Sequence, residues 1–203
     1  MWAKCQQAQK SKTWYNSVMI KSHILPNKQL VDIHGVLGKL GLSEGQKIAD
    51  LGVGTSATWA FAAARIVGES GTVYAVDIMK PVLEATAAKA RLQDLHNIRT
   101  VWTDLEVYGA CKIPSGILDV VFLNSILYQS KKPRAIIKEA LRLLRPGGKM
   151  MIIDWLKGHD AIGPKQERRL DPQAVQAAAV AQGLRPKVAL NPGKFHFGFI
   201  FEK

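Results

Sequence analysis

Apolar positions along this chain follow two periods. Short apolar runs bounded by glycine, proline or an acid alternate with stretches in which apolar residues return every third or fourth position, the marks of strands and of helices packed on them. Lys47–Leu51, Thr72–Val76, Asn97–Trp102, Leu118–Leu123 and Lys149–Asp154 read as strands. Leu118–Leu123 is almost wholly apolar, which suits a strand covered on both faces. Asn27 caps a predicted helix reaching Leu40, with Leu30, Ile33, His34 and Leu37 at helical spacing. Further helices are predicted over Ala57–Val67, which is rich in small residues, and over Pro81–Leu95. Pro133–Arg145 is another, with Ile136, Ile137, Ala140, Leu141 and Leu144 facing inward, and Asp171-Pro172 opens one that runs to Gln182. Pro146-Gly147-Gly148 reads as the turn into the fifth strand. Leu184–Leu190 and Phe195–Phe201 are joined only by Asn191-Pro192-Gly193 and its neighbours. A link so short makes these two strands antiparallel. Five β–α alternations followed by a hairpin predict an α/β fold: a Rossmann-like, doubly wound sheet, mostly parallel, with an antiparallel C-terminal hairpin strand.

The junction of the first two β–α units carries the chemistry. Ile48-Ala49-Asp50-Leu51 is followed by Gly52-Val53-Gly54-Thr55-Ser56, and Val73-Tyr74-Ala75-Val76 ends in Asp77. Glycines at alternate positions let backbone approach a ligand, and a helix start offers free N–H groups to an anion. An acid at the tip of the second strand can accept from both hydroxyls of a ribose. An adenosine-containing cofactor follows. Gly52 through Ala57 also fits the dinucleotide pattern G-x-G-x-x-A. Three features count against NAD: Asp50 just ahead of the glycines, no second domain long enough for a reducible substrate, and the closing hairpin.

Length and composition add bounds. The chain of 203 residues, 47% apolar and 22% charged, suits one domain with a sizeable core. No apolar run is long enough to span a bilayer, the first residues lack the apolar stretch of a secretory signal, and Cys5 and Cys111 show no paired spacing. These point to a cytoplasmic protein without a metal site. Net charge is +12 and uneven: residues 131–149 hold seven Lys or Arg against one acid, whereas residues 48–130 hold six against eight. Lys131, Arg134, Lys138, Arg142 and Arg145 share helical spacing and read chiefly as a solvated face. An anionic partner, RNA or a membrane surface contacted peripherally, is the sharper reading of the same charge.

Four motifs in order then resemble the class I S-adenosylmethionine-dependent methyltransferases over residues 43–203: Asp50-Leu51-Gly52-Val53-Gly54, Asp77, Thr103-Asp104-Leu105, and Leu118 through Asn124. Arg145-Pro146-Gly147-Gly148 and Ile153-Asp154-Trp155 are similar to the small-molecule branch that includes quinone C-methyltransferases. The resemblance implies a seven-stranded sheet with the last strand inserted antiparallel. It also implies S-adenosylmethionine as cofactor. Gly52 and Gly54 would pass under its methionine end, N–H groups near Thr55 and Ser56 would face its carboxylate, and Asp50 would hold its ammonium, directly or through water. Asp77 would take the ribose hydroxyls, Ile78 and Met79 the adenine face, and Asp104 the adenine amino group beside Thr103 and Leu105. Asn124 and Ser125 would lie near the methyl group. Ser56 departs from the family, which often has a third glycine there.

Residues 1–42 are expected to form an N-terminal arm and helix that lids the acceptor site, with Trp14 and Tyr15 covering the cofactor or the acceptor. His159 and Asp160, after the fifth strand, are expected to meet the acceptor. If the acceptor atom is carbon, His159 or Tyr128 is the expected base. His34 and His196 read as packed residues. The resulting expectation is methyl transfer to a small-molecule or lipid-like acceptor by in-line displacement. The competing readings are an RNA or protein methyltransferase, a non-catalytic cofactor-binding module and an NAD oxidoreductase.

Overall fold

The computed structural model describes residues 30–158 and 162–203. One seven-stranded sheet runs in the order β3-β2-β1-β4-β5-β7-β6. Its strands are β1 (Lys47–Leu51), β2 (Thr72–Asp77), β3 (Ile98–Trp102), β4 (Leu118–Asn124), β5 (Leu144–Trp155), β6 (Arg185–Leu190) and β7 (His196–Glu202). β1 through β5 pair in parallel, and β7 enters antiparallel between β5 and β6, as the short link requires.

Period-two alternation places a core on each face. On β4, Val120 and Phe122 join one cluster while Val121 and Leu123 join the other. The first face is covered by α1 (Ile33–Leu40), α2 (Thr58–Val67) and α3 (Lys80–Leu92); the second by α4 (Pro133–Leu143) and α5 (Pro172–Val180). Fully buried Ala60, Ala63 and Ala64 on α2 supply the small face the sequence suggested.

Several boundaries differ from expectation, each for a local reason. α1 begins after Asp32, whose carboxylate accepts from the Gly35 N–H at 3.0 Å. Its buried positions are Ile33, Val36, Leu37 and Leu40, whereas Leu30 and His34 are exposed. Asn27 lies outside the described residues. α1 packs into the first core, and the compact unit holding the sheet runs from Val31 to Lys203. α4 stops at Leu143, before Arg145, since a residue preceding proline disfavours helix. β5 therefore starts early, pairing Leu144 with Leu118 before its register shifts. Arg145, still exposed, ion-pairs with Asp119 of β4 at 2.7 Å. At Gly148 a Cβ would lie 2.9 Å from the Arg145 carbonyl and 3.0 Å from that of Leu118, so only glycine lets these backbones meet.

The loop between β3 and β4 is fixed by a buried ion pair. Glu139 on α4 is fully buried and accepts from the N–H groups of Gly109 at 2.8 Å and Cys111 at 3.2 Å. Arg142 binds both its oxygens and also donates to Ser115 Oγ and the Cys111 carbonyl. Arg142 is thus committed to structure rather than to a solvated stripe.

Candidate active site

The chain leaves β1 in one direction towards β2 and returns past β1 to β4, a reversal that opens a crevice beyond the strand ends. A cavity of about 440 Å³ occupies it, within the usual size of small-molecule sites. Gly52 and Gly54 turn the chain out of β1 with φ of 80° and 63°. The N–H groups of Gly52 and Val53 both donate to the Val76 carbonyl, so the turn is tied to β2. A Cβ at Gly52 would lie 2.3 Å from Ile126 Cδ1, which explains its glycine as a close approach as well as a turn.

Asp77, 9% exposed at the tip of β2, holds the far side of the same turn. Its Oδ2 accepts from the Gly54 N–H at 3.1 Å and its Oδ1 from the Met79 N–H at 2.9 Å. Each oxygen retains lone-pair capacity for a ligand hydroxyl. Ile78 and Met79, 57% and 56% exposed, present unpacked apolar surface along the wall, braced by Trp102, whose Nε1–H donates to the Ile78 carbonyl at 2.8 Å. Thr103, Asp104 and Leu105 line the cavity together with Thr55. Asp104 Oδ1 accepts from the Glu106 N–H, and the buried Thr103 Oγ1 has no partner among the described residues.

The structure brings together most of the expected residues, but not all. Asp50 does not line the cavity. It is 2% exposed, and its carboxylate accepts from the Ala60 N–H at 3.1 Å. The reason is helical: Ala57 occupies the N-cap of α2 with φ 51° and no side-chain acceptor, so Asp50 satisfies a first-turn donor from the neighbouring strand. Asp50 therefore caps α2 from behind the cavity wall. Burial pushes its carboxyl up to about 7, the Ala60 bond opposing and the charge of Asp77 adding. Ser56 is exposed, with its carbonyl accepting from Lys89, and is not a wall residue. Asn124 also stands off the cavity, its Oδ1 enclosed without a partner among the described residues.

Tyr128 is not a wall residue either. Its hydroxyl pKa is raised by burial and by Asp154, against Arg168, the opposite of what a base requires. Its backbone N–H donates to the fully buried Asp154, whose carboxyl burial lifts to about 6. His159, Asp160, Trp14 and Tyr15 lie outside the described residues. His196 is buried as expected, its ring 4.2 Å from that of Trp155.

Wall residues that the sequence reading did not assign to the site are Glu106, Ile126, Gln129, Ser130, Val82 and Ile136. Glu106 directly follows Thr103-Asp104-Leu105, so adjacency was a usable signal. Gln129 ends, and Ser130 caps, a short 3-10 turn after β4 that no periodicity marks. Ser130 Oγ donates to Glu106 Oε1 at 2.6 Å, joining the loops after β3 and β4. Among the described residues the walls thus carry three carboxylates, Asp77, Asp104 and Glu106, and no Lys or Arg. Among the described residues no group of three His, Cys, Asp or Glu is arranged to hold a metal ion, and no helix is long and apolar enough to cross a membrane.

A family model described as a methyltransferase domain matches residues 42–183. The demethylmenaquinone methyltransferase of a Geobacillus species is 28% identical over 116 residues, 57% of this chain and 48% of that protein. The ubiquinone/menaquinone biosynthesis C-methyltransferase of Cronobacter sakazakii is 27% identical over 161 residues, 76% of this chain and 62% of that one. The chain thus spans between about half and three-fifths of these relatives. The crystal structure of a SAM-dependent methyltransferase from Aquifex aeolicus superposes with a TM-score of 0.77 at 25% identity, covering 85% of this chain and 90% of that one.

Proposed function

The chain belongs to the methyltransferase domain family, with the class I S-adenosylmethionine-dependent fold, and from that premise we propose that it methylates a small, lipid-like acceptor of the quinone type. The observation that carries the cofactor assignment is the charge of the cavity. Three carboxylates and no cation among the described wall residues, in a chain of net charge +12, suit a ligand bearing a sulfonium and an ammonium. The same walls repel a pyrophosphate, which counts against NAD.

The residues present fit this cofactor. Asp77 offers two acceptor oxygens to a ribose, Ile78 and Met79 an apolar face to adenine, and Asp104 an acceptor to its amino group. Thr103 Oγ1 is a buried hydroxyl still in need of a partner. Backbone at Gly54 and Thr55 offers close approach to the methionine end. Bound there, S-adenosylmethionine supplies an electrophilic methyl carried on a positive sulfur. The chain's own contribution is positioning and exclusion of water, the former worth up to about 7–11 kcal/mol in good geometry. Ile126 and Ile136 close the cavity on its apolar side, and the Ser130–Glu106 bond keeps the two loops together around it.

The acceptor class is supported by the names of the two relatives, and the apolar walls agree with an aromatic or prenylated molecule. Cys111 is buried, and the chain has only two cysteines, too few for a thiol cluster that would bind arsenite. Calorimetry with S-adenosylmethionine and NAD tests the cofactor; NAD binding alone would sink the reading. Radiolabelled methyl transfer into separated lipid, RNA and protein fractions of a cell extract tests the acceptor. Label in the lipid fraction is expected, whereas label confined to RNA would transfer the assignment to the reading its basic charge favours.

A further inference from the structure

A second concavity, of about 700 Å³, lies between α4 and α5 and inverts the chemistry of the first. Arg134, Lys138, Arg142 and Lys203 line it, and among the described residues no Asp or Glu does. Arg134 and Lys138 stand four apart on one helix face, the spacing at which two side chains can share one ligand. Neither has a carboxylate partner among the described residues. Lys138 sits 4.7 Å over the ring of Tyr108, which the Glu139–Arg142 pair fixes through its anchored loop. The one acid in residues 131–149 is Glu139, buried and saturated by Arg142 and two N–H groups, so that stretch offers Arg134 and Lys138 no carboxylate.

The deeper part of the groove is different in kind. Ala135, Leu141 and Ala178 contribute apolar walls. Lys203 Nζ donates to the carbonyls of Leu141 at 2.8 Å and Leu144 at 2.6 Å, leaving one of its three N–H donors unassigned. Partial burial without a counter-ion lowers its pKa. Gln182 spends its amide N–H groups on the carbonyls of Arg134 and Ala178, while its enclosed Oε1 has no partner among the described residues. A ligand hydroxyl would satisfy that atom.

We propose that this groove is a second ligand site, separate from the cofactor cavity, for a phosphate-headed amphiphile whose head lies between Arg134 and Lys138 and whose apolar body follows Ala135, Leu141 and Ala178. Nucleic acid is the poorer fit: a bounded groove with apolar walls and one aromatic lacks the extended track and stacking platforms that a strand requires. The site does not depend on the acceptor assigned above.

Titration of the full chain with dihexanoylphosphatidic acid below its micelle concentration tests the proposal by calorimetry and by NMR shifts on α4 and α5. Saturable binding is expected, weakened about tenfold by Arg134→Ala and by Lys138→Ala, as loss of a charge-assisted bond requires. Both side chains are exposed, so the fold is retained, and affinity for S-adenosylhomocysteine should not change. Ala181 also lines the groove, and Ala181→Trp, which fills it without altering charge, should abolish binding. Equal affinity for inorganic phosphate would overturn the apolar half of the proposal, and equal affinity for dihexanoylphosphatidylcholine the charged half. Binding only to vesicles of phosphatidic acid and phosphatidylcholine, with none to the monomer, would overturn the groove in favour of a diffuse surface. Tighter, salt-sensitive binding of a single-stranded RNA would overturn it in favour of nucleic acid.

Discussion

Replacing Gly52 with alanine puts the proposed cofactor turn under a test that separates two causes. The first is backbone: residue 52 holds φ of 80°, a left-handed conformation costing a non-glycine residue roughly 1–2 kcal/mol. The second is contact. The new Cβ would lie 2.3 Å from Ile126 Cδ1, 3.0 Å from its Cγ1 and 3.2 Å from its Cβ. A rotamer change can remove Cδ1, but the Cβ contact stays tight whatever rotamer Ile126 adopts. Forced overpacking of this kind costs about 1–3 kcal/mol. Gly52→Ala is therefore expected to lower unfolding free energy by about 2–5 kcal/mol. Ile126→Ala in the same chain should return the contact part, about 1–3 kcal/mol, and leave the backbone part. Urea unfolding followed by the fluorescence of buried Trp59, run as a double-mutant cycle, measures both. Because Ile126 is also a cavity wall, S-adenosylhomocysteine affinity should fall in the single variant and recover in part in the double. Strict additivity, with coupling under about 0.5 kcal/mol, would show that Ile126 does not oppose a side chain at position 52 and would refute the reasoning.

Asp77→Asn keeps the shape but offers an N–H₂ where one carboxylate oxygen accepted, so it should weaken S-adenosylmethionine about 10- to 100-fold by calorimetry; unchanged affinity would remove Asp77 from the ribose role. Glu139→Ala leaves the Arg142 guanidinium and two loop N–H groups without their acceptor, with an expected loss of about 3–5 kcal/mol in denaturant unfolding; a loss below about 1 would mean the loop does not depend on this pair. Asp50→Asn tests the buried carboxyl through pH. Burial raises its pKa from 3.8 to about 7, so between those values the folded state holds a proton that the unfolded state has released. Its stabilising contribution is complete below about pH 4 and is lost as pH rises through about 7. The Tm of Asp50→Asn relative to the parent should accordingly climb across that window. Asp154, raised in the same sense, is present in both proteins and cancels, and a flat difference would show that Asp50 is not protonated in the folded state.

Much of the fold was readable because its signals are local. The total apolarity of β4, the small face of α2, and the brevity of the link from Leu190 to His196 each constrain their own segment. Together they leave little choice beyond a doubly wound sheet closed by a hairpin. Asp77, Asp104 and the two glycines were legible for the same reason, since strand tips and tight turns announce themselves in adjacent residues. Boundaries were misread where a tertiary bond competes with the local pattern. Arg145 leaves the predicted helix because Pro146 follows it, and it then ion-pairs with Asp119, twenty-six residues earlier.

By itself, then, the sequence determined the element types, their order, the antiparallel close and the acids at the ends of β2 and β3. Only the tertiary structure decided what each acid does. Asp50 caps α2 because α2 starts on an alanine that cannot cap itself. Glu139 pins a loop because Arg142 lies one turn along the same helix face. Glu106 meets Ser130 because β4 returns beside β1. The same separation of charges, acids around one cavity and free cations around another, emerges only when strands distant in sequence become neighbours. The physical reason is that periodicity fixes which face a side chain takes, while its partners, burial and protonation depend on what the rest of the chain brings to that face.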